Sequence, residues 1–510
     1  MTAPHFNALA IPEIAGLDSR VSLIRIPPEL DVPLTPRVRK IVDAPEFRRL
    51  AEISQLGLVS LVYPGARHTR FEHSLGVYRL SLLFLRRLAN DPRFAKTVRI
   101  EDVPVLIAAA LLHDIGHWPC CHLIEDLELP GIRHHESIAA RFITKGRIGS
   151  ILRNDWHIDP DDVLTLLEKT PVKRRTEDTE DEYRRRSKAY RLFMSIISGP
   201  IDIDKMDYLL RDSIGCGVPY GHHFDQERLI GCLCLNEAGD GLAISDKGRT
   251  AAELMVFARY VMFSEVYWHH TVRAATVMFQ RAFEILWSHY PKRESLVETA
   301  LDTPFENWLQ ILRNFCESSL QDAAIPEQTR LDCADALHLL GGIFSARRSI
   351  YKRVRQISVM EAPEIYAILA GRPYPVLRQF AKYLVEEIRR NAPESLGVGH
   401  AVTETGRLLR LADSDILVDS PPRAKEIEFR ISVFYPNEQK YRPLQNVSPV
   451  VRALADEQFE HHVKKIRIFA AAEIAESLRK IPNLDDLICK AAAKVPRPKP
   501  DRQPPRADIL

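Results

Sequence analysis

One stretch constrains the fold more than any other. Residues 102–113 read DVPVLIAAALLH, almost without a polar side chain. A run this short falls well below the roughly 20 apolar residues a membrane-spanning helix needs, so it reads as a helix buried in a core. It leads directly into DIGHWPCCH, delivering a histidine and an aspartate at the mouth of that helix. His113 and His117 stand four apart and share a face wherever the helix continues. A buried imidazole beside a buried carboxylate is costly unless the two are paired or ligate a cation.

Helical spacing dominates elsewhere. It predicts two short helices over 37–56 meeting at Pro45, and helices over 72–88, from about 135, over 203–212, 305–319, 347–356 and 374–390. Residues 251–287 read as one long helix or a broken pair. Strand signals are few. Residues 229–235 and 242–245 flank a turn-rich EAGDG, and 416–418 and 426–435 lie on either side of Pro421 and Pro422. A helix is expected over 449–480. The fold class is therefore mainly α, with a small α+β C-terminal appendage.

The expected organisation is an N-terminal segment (1–35), a helical domain (36–390), a small α+β region (395–490) and a Pro-rich tail (495–510). Within the helical domain, residues 173–188 hold seven basic and five acidic residues and read as a solvated loop or exposed helix. Lys+Arg is 70 and Asp+Glu 68, a net charge of +2, which excludes a protein that coats nucleic acid by charge alone. The 510 residues exceed what one compact core holds. The N-terminus has no secretory pattern, and 8 cysteines without paired CxxC spacing read as reduced thiols, so a cytoplasmic location is expected.

A lone His-Asp pair is most simply a hydrogen-bonded couple, but this one has company. His68, His73, His113, His117, His122, His134 and His135 cluster within one part of the chain. Upstream lies HTRFEHS, and downstream IDIDKMDYLLRDS carries Asp202, Asp204 and Asp207. His73 and one of these aspartates, added to His113 and Asp114, make two imidazoles and two carboxylates. That set suits a divalent metal and leaves coordination positions for water and a phosphate oxygen.

In the form RFEHS, LLHDIGH and DIDKMDYLLRD, this pattern resembles the HD-domain metal phosphohydrolases. It is most similar to the deoxynucleoside triphosphate triphosphohydrolase branch, which includes the SAM-and-HD-domain dNTPase. The similarity is dense from about 43 to 230, continues near 259–279 and fades beyond about 390. It implies a helical HD core and a metal (Mg, Mn, Fe or Zn) held by His73, His113, Asp114 and Asp204. It implies His117 as a phosphate-contacting or catalytic histidine, His122 with Glu125 as a His–carboxylate pair near the attacked phosphorus, and His135, ahead of His134, as a further active-site histidine. Gln55 and Leu56 match a segment meeting the deoxyribose. Arg70 and Lys205 match phosphate contacts, Tyr208 and Asp212 sugar-pocket residues, and Arg259 and Tyr267 a pair touching phosphates and sugar. The implied reaction is water attack on the α-phosphorus of a dNTP, giving deoxynucleoside and inorganic triphosphate. A homo-oligomer (dimer, tetramer or hexamer) and an activating nucleotide are implied partners.

The chain also departs from that branch. IRIPPELDVPLTP stands where many relatives carry a DPVHG-like turn. Asp43 matches an activator-site aspartate, but Ala51 and Arg48 replace an expected arginine and glutamine. Glu125 stands for an aspartate of some relatives, while Trp118 and Trp268 alter the pocket wall. Two other readings stay open: hydrolysis of another phosphate ester, or a metal-containing nucleic-acid-binding regulator.

Overall fold

The computed structural model describes residues 6–28, 30–391, 411–421 and 430–497. The chain is mainly α, as expected. It divides into two compact units. The first holds residues 1–121, 133–263 and 427–455, and the second 122–132, 264–426 and 456–510.

In the first unit the apolar run forms the Val103–Leu112 helix, buried at every position but Pro104. The Arg70–Leu88 helix packs against it and against the Ile203–Cys216 helix. A helix that is apolar all round belongs in the centre of a core, and its amphipathic neighbours turn their apolar stripes towards it. Caps set where the flanking helices begin. Thr35 and Pro36 open Pro36–Val42, and Asp202 opens Ile203–Cys216 by accepting the Lys205 N–H at 2.7 Å. The two short helices expected around Pro45 are Pro36–Val42 and Pro45–Arg48. The charged 173–188 stretch contains the start of the Glu180–Ile197 helix, capped by Thr179. A four-stranded sheet lies in the same unit, in the order Leu233–Leu235, Leu242–Ser245, Ser432–Tyr435, Lys440–Pro443. Its second and third strands are parallel.

The second unit contains the His270–His289, Phe305–Gln321, Glu327–Phe344 and Tyr374–Asn391 helices. A three-stranded antiparallel sheet accompanies them, with Ile466–Ala470 between Lys352–Ile357 and Ile416–Asp419. The 251–287 stretch is a broken pair: Arg249–Met262, a π turn over Phe263–Tyr267, then His270–His289.

Three expectations need correction. Residues 347–356 are not a helix; Lys352–Ile357 is a strand. A β-bulge between Arg353 and Arg355 makes Val354 an extra residue, and Ile350, Tyr351 and Val354, all buried, stand at helical spacing. Residues 229–235 are a strand only at Leu233–Leu235. Asp225 caps a Gln226–Gly231 helix before it, accepting the Arg228 N–H at 3.0 Å. The 449–480 helix is instead Pro449–Ala453, a π segment Leu454–Val463, the strand Ile466–Ala470 and the Ala472–Arg479 helix. Every residue of that strand is buried, so both of its faces are covered.

The described parts of the expected 395–490 region are shared between the two units. Ser432–Pro443 completes the first unit's sheet, and Ile416–Asp419 and Ile466–Ala470 complete the second's. Residues 426–429 of the expected 426–435 strand lie outside the described residues, as do 498–510 of the expected tail.

Candidate active site and metal centre

Three helices of the first unit supply the site. His73 lies one turn into Arg70–Leu88, His113 caps the end of Val103–Leu112, and Asp204 sits in the first turn of Ile203–Cys216. The Nε2 atoms of His73 and His113 face each other at 3.1 Å. His73 Nε2 is 3.0 Å from Asp204 Oδ1 and 3.7 Å from Asp114 Oδ2, and His113 Nε2 is 3.6 Å from Asp114 Oδ1. Ligands about 2.1 Å from one divalent ion, at right angles, stand about 3.0 Å apart. The donor set and spacing therefore fit a divalent cation.

The ring orientations point the same way. His113 Nδ1 lies 3.0 Å from the Ala110 carbonyl and His73 Nδ1 2.8 Å from Asp207 Oδ2. Each Nδ1–H donates outward, leaving the Nε2 lone pair for the shared point. Burial alone would lower the His73 pKa, but hydrogen bonds to Asp204 and Asp207 carry it up to about 10. A cation at Nε2 would satisfy the same negative surroundings.

Asp114 is buried between Arg70 Nη1, at 2.6 Å, and His117 Nε2, at 3.1 Å. Burial would raise its pKa, but Arg70 above all holds it well below the usual carboxylate range. Burial, reinforced by Arg70 and His135, pushes His117 well below the ordinary histidine range, so its imidazole is neutral. His117 stacks on His135, with ring centroids 3.7 Å apart. His135 opens the His135–Ile143 helix, and His134 is the exposed residue before it. Arg49 clamps the connecting loop by donating to the carbonyls of Ile115, at 2.5 Å, and His117, at 2.9 Å.

The expected substrate residues divide. Lys205 Nζ donates to the Gly199 carbonyl at 3.0 Å and pairs with Asp202. Burial opposes the Lys205 charge, but Asp202 keeps its pKa raised. Burial pushes the Tyr208 hydroxyl up, and the positive charges of Arg259 and Lys205 act on it from nearby. Arg259 is buried on Arg249–Met262. Asp212 Oδ1 receives His68 Nε2 at 2.8 Å. The Gln55 N–H donates to the His68 carbonyl at 3.0 Å, and Leu56 follows it into the turn at Gly57. His122, Glu125 and Tyr267 fall in the second unit. His122 Nδ1 lies 3.2 Å from Glu125 Oε2, with Glu125 buried and His122 half exposed. Tyr267 closes the π turn between two helices.

Sequence reasoning missed Arg49 and Arg211, named His68 only as one of the clustered histidines, and named Asp207 only as one of three candidate ligand aspartates. The four-residue spacing of Asp207 and Arg211 on one helix face was a readable signal for their ion pair. Nothing local marks Arg49.

Residues 70–212 match the family model of the HD domain, and residues 224–314 that of an HD associated region. The chain thus carries an HD domain, and the sites described in the first unit lie within or beside it. Among HD-domain proteins it resembles the deoxynucleoside triphosphate triphosphohydrolase branch. It is 30% identical over 270 residues to deoxynucleoside triphosphate triphosphohydrolase SAMHD1 of Gallus gallus, covering 50% of this chain and 43% of that protein. It is 33% identical over 243 residues to YwfO of Bacillus subtilis, covering 47% and 50%. The chain spans about half the length of the curated relatives it matches. Two solved structures share the fold. A protein from Aquifex aeolicus has a TM-score of 0.61 at 24% identity, covering 90% of this chain and 98% of that one. A phosphohydrolase from Bacteroides thetaiotaomicron has 0.57 at 20%, covering 88% and 99%.

Proposed function

We propose that this chain is a metal-dependent phosphohydrolase that splits deoxynucleoside triphosphates into deoxynucleoside and inorganic triphosphate. The observation that carries the reading is the convergence of His73 Nε2, His113 Nε2 and Asp204 Oδ1 on one point, with Asp114 and buried Arg70 beside it. His73, His113, Asp114 and Asp204 would hold a divalent metal (Mg, Mn, Fe or Zn). That ion supplies Lewis-acid polarisation of a phosphoryl oxygen and a lowered pKa for water.

The remaining roles belong to side chains. Arg70, Lys205 and Arg259 neutralise the triphosphate. Lys205 must leave Asp202 to do so, or act through the field of the pair. His117, kept neutral, contacts the phosphate without adding charge. Water attacks the α-phosphorus and releases a proton to solvent, the bond from phosphorus to the 5′-oxygen breaks, and His122, hydrogen-bonded to Glu125, gives that oxygen its proton. His135 supports His117 by stacking. Gln55, Leu56, Tyr208, Asp212 and Tyr267 face the deoxyribose and reject a 2′-hydroxyl. The working form is a homo-oligomer in the cytoplasm, and Ala51 and Arg48 in the activator motif argue against a GTP-type activator. No helix among the described residues is long and apolar enough to cross a membrane.

Product analysis tests this. Purified protein is incubated with each dNTP, each NTP and a dNTP mixture in Mg(II) or Mn(II), and products are separated by ion exchange. Deoxynucleoside plus triphosphate is expected. Orthophosphate or a cleaved monophosphate would move the assignment to another phosphate ester. No turnover with metal bound would move it to a regulatory role.

A further inference from the structure

We propose that Asp207 is a positioning residue for the metal ligand His73, held in place by Arg211 and given room by the absence of a side chain at Gly76. The proposal rests on the metal-centre reading above. Asp207 uses both carboxylate oxygens. Oδ2 accepts from His73 Nδ1 at 2.8 Å and from Arg211 Nε at 2.8 Å, and Oδ1 accepts from Arg211 Nη2 at 2.8 Å. Arg211 Nη1 then donates to the Pro27 carbonyl at 2.7 Å. Asp207 is 4% exposed and Arg211 3%, so solvent does not compete for these bonds.

The fork of a guanidinium on a carboxylate fixes the plane of Asp207. With that plane fixed, Oδ2 can accept from His73 Nδ1 in only one ring orientation, the one that aims Nε2 at Asp204 and His113.

Gly76 shows how closely the parts are fitted. It lies three residues after His73, on the same helix face. A Cβ there would stand 1.8 Å from Asp207 Oδ1 and 2.5 Å from Arg211 Nη2. Glycine lets the Arg70–Leu88 helix lie directly over the pair. The two imidazoles are also oriented by unlike groups. His113 donates to a neutral backbone carbonyl, His73 to a carboxylate. A carboxylate partner raises ligand basicity more, which makes His73 the stronger of the two imidazole ligands.

The test reads metal binding and not turnover. Metal-free wild-type protein, Asp207→Asn, Arg211→Lys, Gly76→Ala and His113→Ala are titrated with Mn(II), with free ion followed by EPR. Co(II) is titrated in parallel for its d–d absorption. Asp207→Asn is expected to weaken Mn(II) binding about 10- to 100-fold and to shift the Co(II) bands. Gly76→Ala should resemble it, and Arg211→Lys should show a smaller loss, since the carboxylate stays but its bidentate hold does not. Circular dichroism checks that each variant is folded. If Asp207→Asn does not fold, Arg211→Lys carries the test by the same criteria. Wild-type affinity and unchanged bands in the folded variants, with binding lost in His113→Ala, would overturn the proposal. Wild-type binding in His113→Ala would instead overturn the metal-centre reading itself.

Discussion

Gly116 sets the local geometry of the active-site loop. A Cβ there would lie 2.0 Å from the His135 carbonyl oxygen and 2.7 Å from the Ala139 nitrogen. Only glycine lets the His135–Ile143 helix come close enough for His135 to stack on His117. Gly116→Ala should therefore destabilise the fold by about 2 kcal/mol, the usual scale of an overpacked contact, and reduce turnover. Urea unfolding and the product assay check both. The proposed roles separate by metal content. His113→Ala and Asp114→Ala should lose both metal and turnover, whereas His122→Ala should keep metal, by elemental analysis, and lose turnover. Full activity in His122→Ala would mean the leaving-group acid lies elsewhere. In the second unit, partial burial together with His269, Arg353, Arg467 and Lys352 pushes His270 down to about 4. The unfolded chain takes up this proton below about pH 6.5, but the folded protein does not until about pH 4. Stability should therefore fall as pH drops through that window, and Tm against pH should fall less steeply for His270→Gln.

At the scale of elements, the Ile203–Cys216 helix carries five charged residues of the site, Asp204, Lys205, Asp207, Arg211 and Asp212, with neutral Tyr208 among them. Its start depends on Asp202, which is fully buried, caps the helix and pairs with Lys205. Asp202→Ala removes a cap and leaves a buried ammonium without its carboxylate. A loss of about 3 kcal/mol is expected, read by denaturant unfolding. The helices lining this site were legible in the sequence because their apolar stripes repeat at helical spacing. Arg70–Leu88, Val103–Leu112 and Ile203–Cys216 fall close to their expected places. The 352–357 strand was not legible, because Ile350, Tyr351 and Val354 stand at a spacing that belongs to a helix. The 466–470 strand was not legible either. A short segment such as IRIFA becomes a strand only when partners flank it, and those partners lie about 50 and 110 residues upstream in the chain.

At the scale of the whole molecule, all eight cysteines are free thiols, Cys316 and Cys333 among the most buried. Neither unit is held by a covalent cross-link, so reductant should leave Tm unchanged. Denatured, unreduced protein should give eight equivalents in a thiol titration. Fewer than eight would reveal a disulfide. The four-stranded and three-stranded sheets are assembled from strands far apart in sequence. Leu242–Ser245 pairs with Ser432–Tyr435, and Lys352–Ile357 with Ile466–Ala470. The sequence alone determined the helical class, the buried run and the motifs that nominate His73, His113, Asp114 and Asp204, because periodicity and residue chemistry are local properties. Only the tertiary structure decided that Asp207 stands behind His73 and that Asp202 turns to Lys205. All three lie on one short segment, and their parts depend on where the Arg70–Leu88 helix, with its glycine, comes to rest against that segment.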